Sequence, residues 1–439
     1  MRVERGRAAQ ALARSGGQTA LSADDEDEMS VSAQPLELTL TGTAYGGEAF
    51  GRDANGRMVF VPFVLPGERI LAQITQAHER WARARCLEIL DPSPVRVTPR
   101  CRHFTHCGGC HYQHLAYAAQ LEAKREIVVA QLKRLGGFAD PPVRPTVASP
   151  TPWNTRNHMQ FSVDSEGRLA LQAAGSHRMV TIEECHLPEP SLGDLWPRLD
   201  LEPIDGLRRV VLRCGADDDC LILFEADRDP EVELTLDLPA SVVWSSPAGP
   251  TVLAGAGHLV IQVGHLPLRV SAGAFFQVHT TLAGELVKGA LAALAVEPRH
   301  AVFDLYAGVG LFSAFLAEAG AQVFAVENSA DACADFDHNL DRFDSVSLFE
   351  ASVEEALPAM DARPDSILVD PPRAGLGPAV VDALLARRAS RLAYVSCDPA
   401  TLARDGRRLA EGGYRLESVT PLDLFPQTFH IETLSVWAL

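Results

Sequence analysis

The sequence predicts an α/β chain in three parts. These are a small N-terminal β-barrel, a central region of mainly antiparallel strands and a C-terminal doubly wound parallel sheet. Three observations predict it. Residues 36–92 carry short β-rich runs separated by Gly, Asn-Gly and Pro-Gly signals. Residues 150–270 alternate short strands with turns, as in HMQFSVDSEGRLALQ and RVVLRCGADDDCLILFEA. From about residue 273 strands alternate with helices, the rhythm of a parallel sheet joined by crossover helices. The length of 439 residues exceeds one ordinary core and fits two to three domains.

Composition narrows the class. Hydrophobic content of 47% and charged content of 22% are those of a globular chain. There is no run of roughly eighteen apolar residues and no apolar N-terminal leader, so a cytoplasmic location without a membrane span is expected. Residues 1–34 are Ala-, Ser- and Gly-rich, carry the acidic block Asp24–Glu28 and read as a disordered tail. A net charge of −18 with a pI near 5.2 argues against a generic nucleic-acid binder. A local basic patch can still coexist with an acidic remainder. Only Lys124, Lys133 and Lys288 among the 39 basic residues are Lys. Arg dominance suits phosphate contacts and stacking, but a compositional bias explains it more simply.

The barrel is read over residues 35–95 from LELTLTGTA, MVFVPFVL, RILAQITQA and RARCLEIL. Tyr45, Phe50, Phe60, Phe63 and Trp81, with Arg52, Arg57, Arg69, Arg80, Arg83 and Arg85, suggest a surface on which single-stranded bases stack. The simpler reading is that the aromatics fill a small core. A Pro-rich connection, Asp91–Pro99, leads into a central domain at 96–272. Within it LAYAAQLEAKREIVVAQLKRLGG reads as a helix. Leu121, Val128, Leu132 and Leu135 lie on one stripe, and Gly136-Gly137 ends it. The doubly wound domain is assigned to 273–439.

Four stretches of that last domain carry chemistry. In DLYAGVGLFSAFLAEAGAQVFAVENS a strand ends at Asp304-Leu305-Tyr306, and a Gly308-x-Gly310 turn opens a helix. A second strand then ends in Glu327, an acid placed for ribose hydroxyls. This is not G-x-G-x-x-G; it resembles the turn of S-adenosylmethionine-dependent methyltransferases. In SILVDPPRAGL an apolar strand delivers Asp370 to the carboxyl edge of the sheet, where ligands bind. In LAYVSCDPATLARD a buried strand surfaces at Cys397, placing a soft nucleophile at the same edge. Asp398 or Thr401 opens the next helix. In PLDLFPQTFHIETLSVWAL, Glu432 precedes the last strand as a candidate general base, with His430 on the same face if the segment is extended. The bland readings are a plain strand–helix turn, a helix cap, a core thiol and a surface acid. The four features occurring together outweigh them.

Cys101, Cys107 and Cys110 lie within ten residues of one another, and Cys185 stands in EECHLPE. Clustered thiols in a reducing compartment point to metal rather than disulfides. Zinc and a [4Fe-4S] cluster both accept four thiolates. The close-set trio and the absence of a second CxxC pair favour the cluster.

Together these motifs resemble the RNA 5-methyluridine (uracil-C5) methyltransferase family, from about residue 36 to the end. The resemblance implies a TRAM β-barrel of OB-like type with Pro66-Gly67-Glu68 in place. It implies a class I, Rossmann-like S-adenosylmethionine-dependent catalytic domain, and a [4Fe-4S] cluster on Cys101, Cys107, Cys110 and Cys185. It makes Cys397 the nucleophile and Glu432 the general base, and gives cofactor contacts to Gln277, Tyr306, Gly308, Gly310, Glu327, Ser352 and Asp370. By the same analogy the helix at 115–136 packs on the catalytic domain. The barrel and cluster together suggest the 23S ribosomal RNA branch, acting as a monomer on a single-stranded or flipped uridine. Departures from the family pattern stand at His279 (usually Asn), Asp398 (Asn), Gln427 (His) and Leu311 (Asn in some relatives). The alternatives are a tRNA uridine-54 enzyme, a 5-methylcytosine methyltransferase and a catalytically silent RNA-binding assembly factor.

Overall fold

The computed structural model describes residues 2–5, 34–176, 178–230, 232–235, 237 and 239–439. Residues 6–33 of the expected tail lie outside the described residues. Arg2–Arg5 instead forms a strand between Asp200–Leu201 and Val232–Thr235.

Five strands close an N-terminal barrel in the order β1, β2, β3, β5, β4: β1 (Leu36–Thr43), β2 (Ala49–Arg52), β3 (Met58–Val61), β4 (Arg69–Ala77) and β5 (Trp81–Asp91). Alternation along each strand sends Leu38, Leu40, Val59, Val61, Ile70, Ala72 and Ala82 inward, so the core is aliphatic. The aromatics stay outside it, and only Phe50, Phe60 and Trp81 share one outer face, beside Arg83. Phe50 meets Phe60 edge-on, Trp81 stacks on His78, and Phe63 and Tyr45 turn toward other parts of the chain. Glu68 is fully buried at the barrel's end. There it accepts the N–H groups of Leu65 and Ser93 and pairs with Arg96 of the adjoining linker. The barrel's exit is thereby fixed.

Seven central strands form one sheet in the order Gly249–Ala254, Ala240–Ser246, Cys220–Ala226, Leu207–Cys214, His158–Val163, Leu169–Gln172, Met179–Thr181. All pairings are antiparallel except that between Cys220–Ala226 and Ala240–Ser246. Cys214 and Cys220 face each other across a hairpin and are joined as a disulfide, a bond the reduced-thiol expectation does not contain. The next hairpin, His258–Val263 and Leu266–Ser271, buries Leu259, Ile261, Leu266 and Leu268 in the same core as Leu282 and Leu286. That core also takes in Val211, Leu221, Leu223 and Val243 of the central sheet.

The last sheet has seven strands: β6 (Ala301–Leu305), β7 (Gln322–Glu327), β8 (Val346–Glu350), β9 (Ser366–Val369), β10 (Arg391–Ser396), β11 (Arg415–Leu422) and β12 (Glu432–Ala438). Their order is β8-β7-β6-β9-β10-β12-β11, all parallel but for β12, which runs antiparallel to both its neighbours. Ser366–Val369 is buried at every position, as a strand covered on both faces must be. Helix α1 (Tyr117–Arg134) buries Ile127, Val128 and Leu132 in this domain's core. Its buried face differs from the expected stripe: Leu121 is half-buried and Leu135 exposed, while Gln120, Lys124 and Gln131 are buried. Among the described residues no helix is long and apolar enough to cross a membrane.

Candidate active site

Because β12 runs against β10, the start of one and the end of the other meet at a single edge. Ser396 pairs with Thr433, so the register carries Cys397 opposite Glu432 one step further. Parallel pairing brings the ends of β6, β9 and β10 to the same edge, and with them Tyr306, Asp370 and Cys397. Glu432 is 3% exposed, and burial together with the charge of Asp370 pushes its carboxyl well above the usual range. Burial, then the Asp304 charge, raises Asp370 to about 7, and Gln277 Nε2 lies 3.5 Å from Asp370 Oδ2. Asp304, fully buried beneath, accepts the Ser313 hydroxyl at 2.6 Å and is raised by burial to about 6. Burial, then Glu432 and Asp370, pushes the Cys397 thiol up to about 12, while the Arg373 guanidinium works in the opposite sense. The edge thus sets Glu432, Asp370 and Asp398 around one thiol, with the Arg373 guanidinium beside it.

The neighbouring turn is shaped for a ligand. Tyr306, Gly308 and Gly310 have φ of 64°, 56° and 90°, the left-handed region. At Gly310 a Cβ would collide with Leu340, which packs the turn against helix α4 (Ala330–Leu340). Glu327 ends β7 and accepts three N–H groups, from Gly308 at 2.8 Å on Oε2 and from Asn328 and Ser329 at 2.8 Å each on Oε1. Tyr306 combines an aromatic side chain with a positive φ, the kind of outlier that gathers at ligand clamps. A Gly turn, an acid at the next strand end and Asp370 beside Gln277 suit a nucleoside carrying a cationic centre. Ser352 caps helix α5 (Val353–Ala359), accepting from Glu355 N and donating to its carboxylate.

Comparison with known proteins decides what this edge belongs to. Residues 257–437 match the tRNA (uracil-5-)-methyltransferase family and residues 33–87 the TRAM domain. An RNA methyltransferase of Streptomyces avermitilis is 35% identical over 92% of this chain and 98% of its own. Another, of Chlorobaculum tepidum, is 32% identical over 91% and 95%. The chain belongs to the tRNA (uracil-5-)-methyltransferase family of RNA methyltransferases. A solved structural relative, the Pyrococcus abyssi tRNA (uracil-54, C5)-methyltransferase in complex with S-adenosyl-L-homocysteine, superposes with a TM-score of 0.72. That relative is 25% identical and covers 92% of this chain and 100% of its own. The barrel is thus a TRAM domain and the last sheet an S-adenosylmethionine-dependent methyltransferase fold.

In this RNA (uracil-5-)-methyltransferase three of the departures from the family pattern have partners of their own. Asp398 caps helix α7 (Pro399–Glu411): Oδ1 accepts from Ala400 N and Thr401 N, and Oδ2 accepts from the Tyr45 hydroxyl of the barrel at 3.0 Å. His279 caps helix α2 (Thr280–Leu294), with Nδ1 accepting from Leu282 N and Nε2 2.7 Å from Ser149 Oγ. Burial lowers that imidazole to about 4, so it is neutral and its proton sits on Nε2. Gln427, at φ 68°, takes the N–H groups of His111 and Tyr112 on its carbonyl and meets Gln120 through its amide.

Cys101, Cys107, Cys110 and Cys185 all line one cavity of about 280 Å³, together with Phe104, Arg156 and Phe425. His103 N donates to Cys101 Sγ and Gly109 N to Cys107 Sγ. Among the described residues no three His, Cys, Asp or Glu side chains are gathered as ligands of one ion.

Sequence reasoning misses three neighbours of the site. Arg373 directly succeeds the Asp-Pro-Pro run and reaches His430 Nδ1 at 3.0 Å. His430 itself lies before β12, so it does not share a strand face with Glu432. Tyr45 groups by pattern with the barrel aromatics, though it reaches the loop that carries Cys397. Lys124 stands out only as one of three lysines, on a helix whose pattern is read by its apolar stripe.

Proposed function

We propose that the enzyme methylates C5 of a specific uridine in 23S ribosomal RNA, with Cys397 as nucleophile and Glu432 as general base. The observation that supports the chemistry is the β10–β12 register, which ends at Ser396 and Thr433, one step short of Cys397 and Glu432, together with the Glu432 charge acting on the Cys397 thiol. Uracil C5 is a poor nucleophile. Attack of the Cys397 sulfur on C6 pushes the C5–C6 electron pair toward the C4 oxygen and makes C5 an enolate carbon. S-adenosylmethionine supplies an electrophilic methyl group on a sulfonium when bound. Gln277, Tyr306, Gly308, Gly310, Glu327, Ser352 and Asp370 are the residues we assign to holding it. Glu432 then takes the C5 proton, the C5–C6 double bond re-forms and the Cys397 thiolate leaves. The half-buried thiol releases its own proton to solvent as uracil arrives, because burial and the surrounding carboxyl groups keep it neutral in the free enzyme. Arg373 is the cation placed to favour the thiolate.

Cys101, Cys107, Cys110 and Cys185 are proposed to hold a [4Fe-4S] cluster. Four thiols lining one cavity are a donor set for four-thiolate sites, and the close-set Cys101, Cys107 and Cys110 without a second CxxC pair favour the cluster over zinc. Anaerobically purified protein is expected to be brown with about four irons per chain, and Cys110→Ser to lose the colour. A colourless protein with stoichiometric zinc would reverse the assignment.

The ribosomal target is favoured by the TRAM barrel together with the four thiols. A tRNA uridine is the second reading, carried by the P. abyssi tRNA enzyme, which covers 92% of this chain. Mass spectrometry of 5-methyluridine in rRNA and tRNA from a deletion strain tests both. Loss confined to 23S rRNA is expected; loss confined to tRNA would transfer the assignment.

A further inference from the structure

Glu432 comes directly after a non-regular loop, residues 423–431, which Thr428 ties internally to Phe425 O and His430 N and which Arg373 meets at His430. Helix α1 adds buried donors that span the loop from its first residue nearly to its last. Lys124 is 0% exposed, and its Nζ donates to Asp423 Oδ1 at 2.5 Å, to Phe425 O at 3.1 Å and to His430 O at 2.7 Å. An ammonium has three protons, and here all three are used. They join the first residue of the loop to the residue two before Glu432. One turn earlier on the same face, Gln120 is 1% exposed. Its Nε2 donates to Gln427 Oε1 at 3.0 Å, and its Oε1 accepts from Gln427 N at 3.1 Å. Gln427 needs that help, because its backbone sits at φ 68°.

The arrangement is expensive to build without a purpose. Burying an ammonium away from water is strongly unfavourable, and an apolar pair of the same volume is often as stable. A hydrophobic α1 face of Leu and Met would pack against β11 and α7 well enough for the fold. What an apolar face cannot do is bind loop carbonyls and thereby set the entry point of β12.

We propose that Lys124 and Gln120 are positioning residues for Glu432, closing loop 423–431 so that the carboxylate enters the sheet edge opposite Cys397. The inference rests on the catalytic reading above and deepens it: α1, outside the catalytic domain in sequence, completes the catalytic site. A buried pair used only for stability would be replaceable; a positioning pair would not.

The test reads the geometry without any RNA. Alkylation of Cys397 by iodoacetamide is monitored by peptide mass spectrometry across pH. The charges facing that thiol are Glu432, Asp370, Asp398 and Arg373. Glu432→Gln removes one of the anions and is expected to lower the alkylation midpoint by about one pH unit. Lys124→Met combined with Asp423→Leu removes the pair together, so no lone charge is left buried. This double variant is expected to fold and to lower the midpoint toward the Glu432→Gln value, since the carboxylate is no longer held in place. A wild-type midpoint in the folded double variant, with Glu432→Gln shifted, overturns the positioning role. No shift in Glu432→Gln itself overturns the placement of Glu432 and the brace with it. Gln120→Met keeps the ion pair and carries the test should the double variant fail to fold. It is expected to move the midpoint in the same direction by a smaller amount, and an unmoved midpoint there counts against the brace.

Discussion

Cys397→Ala is expected to lose methyl transfer by on the order of 10⁵-fold or more, while unfolding within about 1 kcal/mol of the wild type. The loss is large because no other group at the edge can attack C6. Asp370 and Glu432 offer only carboxyl oxygens, and neither is a soft nucleophile. Stability is spared because Cys397 lies in the loop after β10 and is only half-buried, and the cap of α7 is made by Asp398. The measurement is single-turnover transfer of a labelled methyl group to unmodified 23S rRNA, beside a thermal unfolding curve. A folded Cys397→Ala protein whose methylation rate stays within about tenfold of the wild type would end the covalent account.

Glu432→Gln is expected to behave differently. Attack and methyl transfer need only the thiolate, so both should proceed. Proton removal from C5 then stalls, and turnover falls by roughly 10²- to 10⁴-fold, the usual contribution of a general base. A methylated protein–RNA adduct should accumulate and survive denaturing electrophoresis. The amide also removes a negative charge beside Cys397, so the thiolate forms more readily and the adduct should appear at lower pH than in the wild type. Turnover at the wild-type rate with no adduct would remove Glu432 from the mechanism, and another acid at the edge, Asp370, would have to take its place.

Much of the site is legible as runs of apolar residues ending in a single reactive one. SILV before Asp370, LAYVS before Cys397 and AVFDL before Tyr306 each state strand and edge at once. A buried parallel strand is apolar along most of its length, and the residue just past its end emerges at the ligand-binding edge. The barrel is legible too, through turn signals at short intervals. Its aromatics are not. Whether Tyr45 faces a stacked base or the α7 cap depends on where the barrel sits, and strand periodicity says nothing of that. The face of α1 escapes sequence reasoning for a related reason. An apolar stripe through Leu121 and Leu135 is a fair guess for a helix on an apolar surface. The surface it meets includes loop 423–431, whose free carbonyls call for donors, so Gln120 and Lys124 are buried instead.

The sequence alone determined the strand–helix alternation, the Gly308–Gly310 turn, the thiol at the end of β10 and the four-Cys set, because each is a local pattern imposed by backbone geometry or ligand chemistry. The tertiary structure decided which of these meet. The antiparallel return of β12 places Glu432 against Cys397, a barrel hydroxyl reaches Asp398 from 353 residues away in sequence, and a lysine on α1 closes the loop before the proposed general base. The last two contacts join residues hundreds of positions apart, and their energies depend on burial and donor geometry that no local window contains.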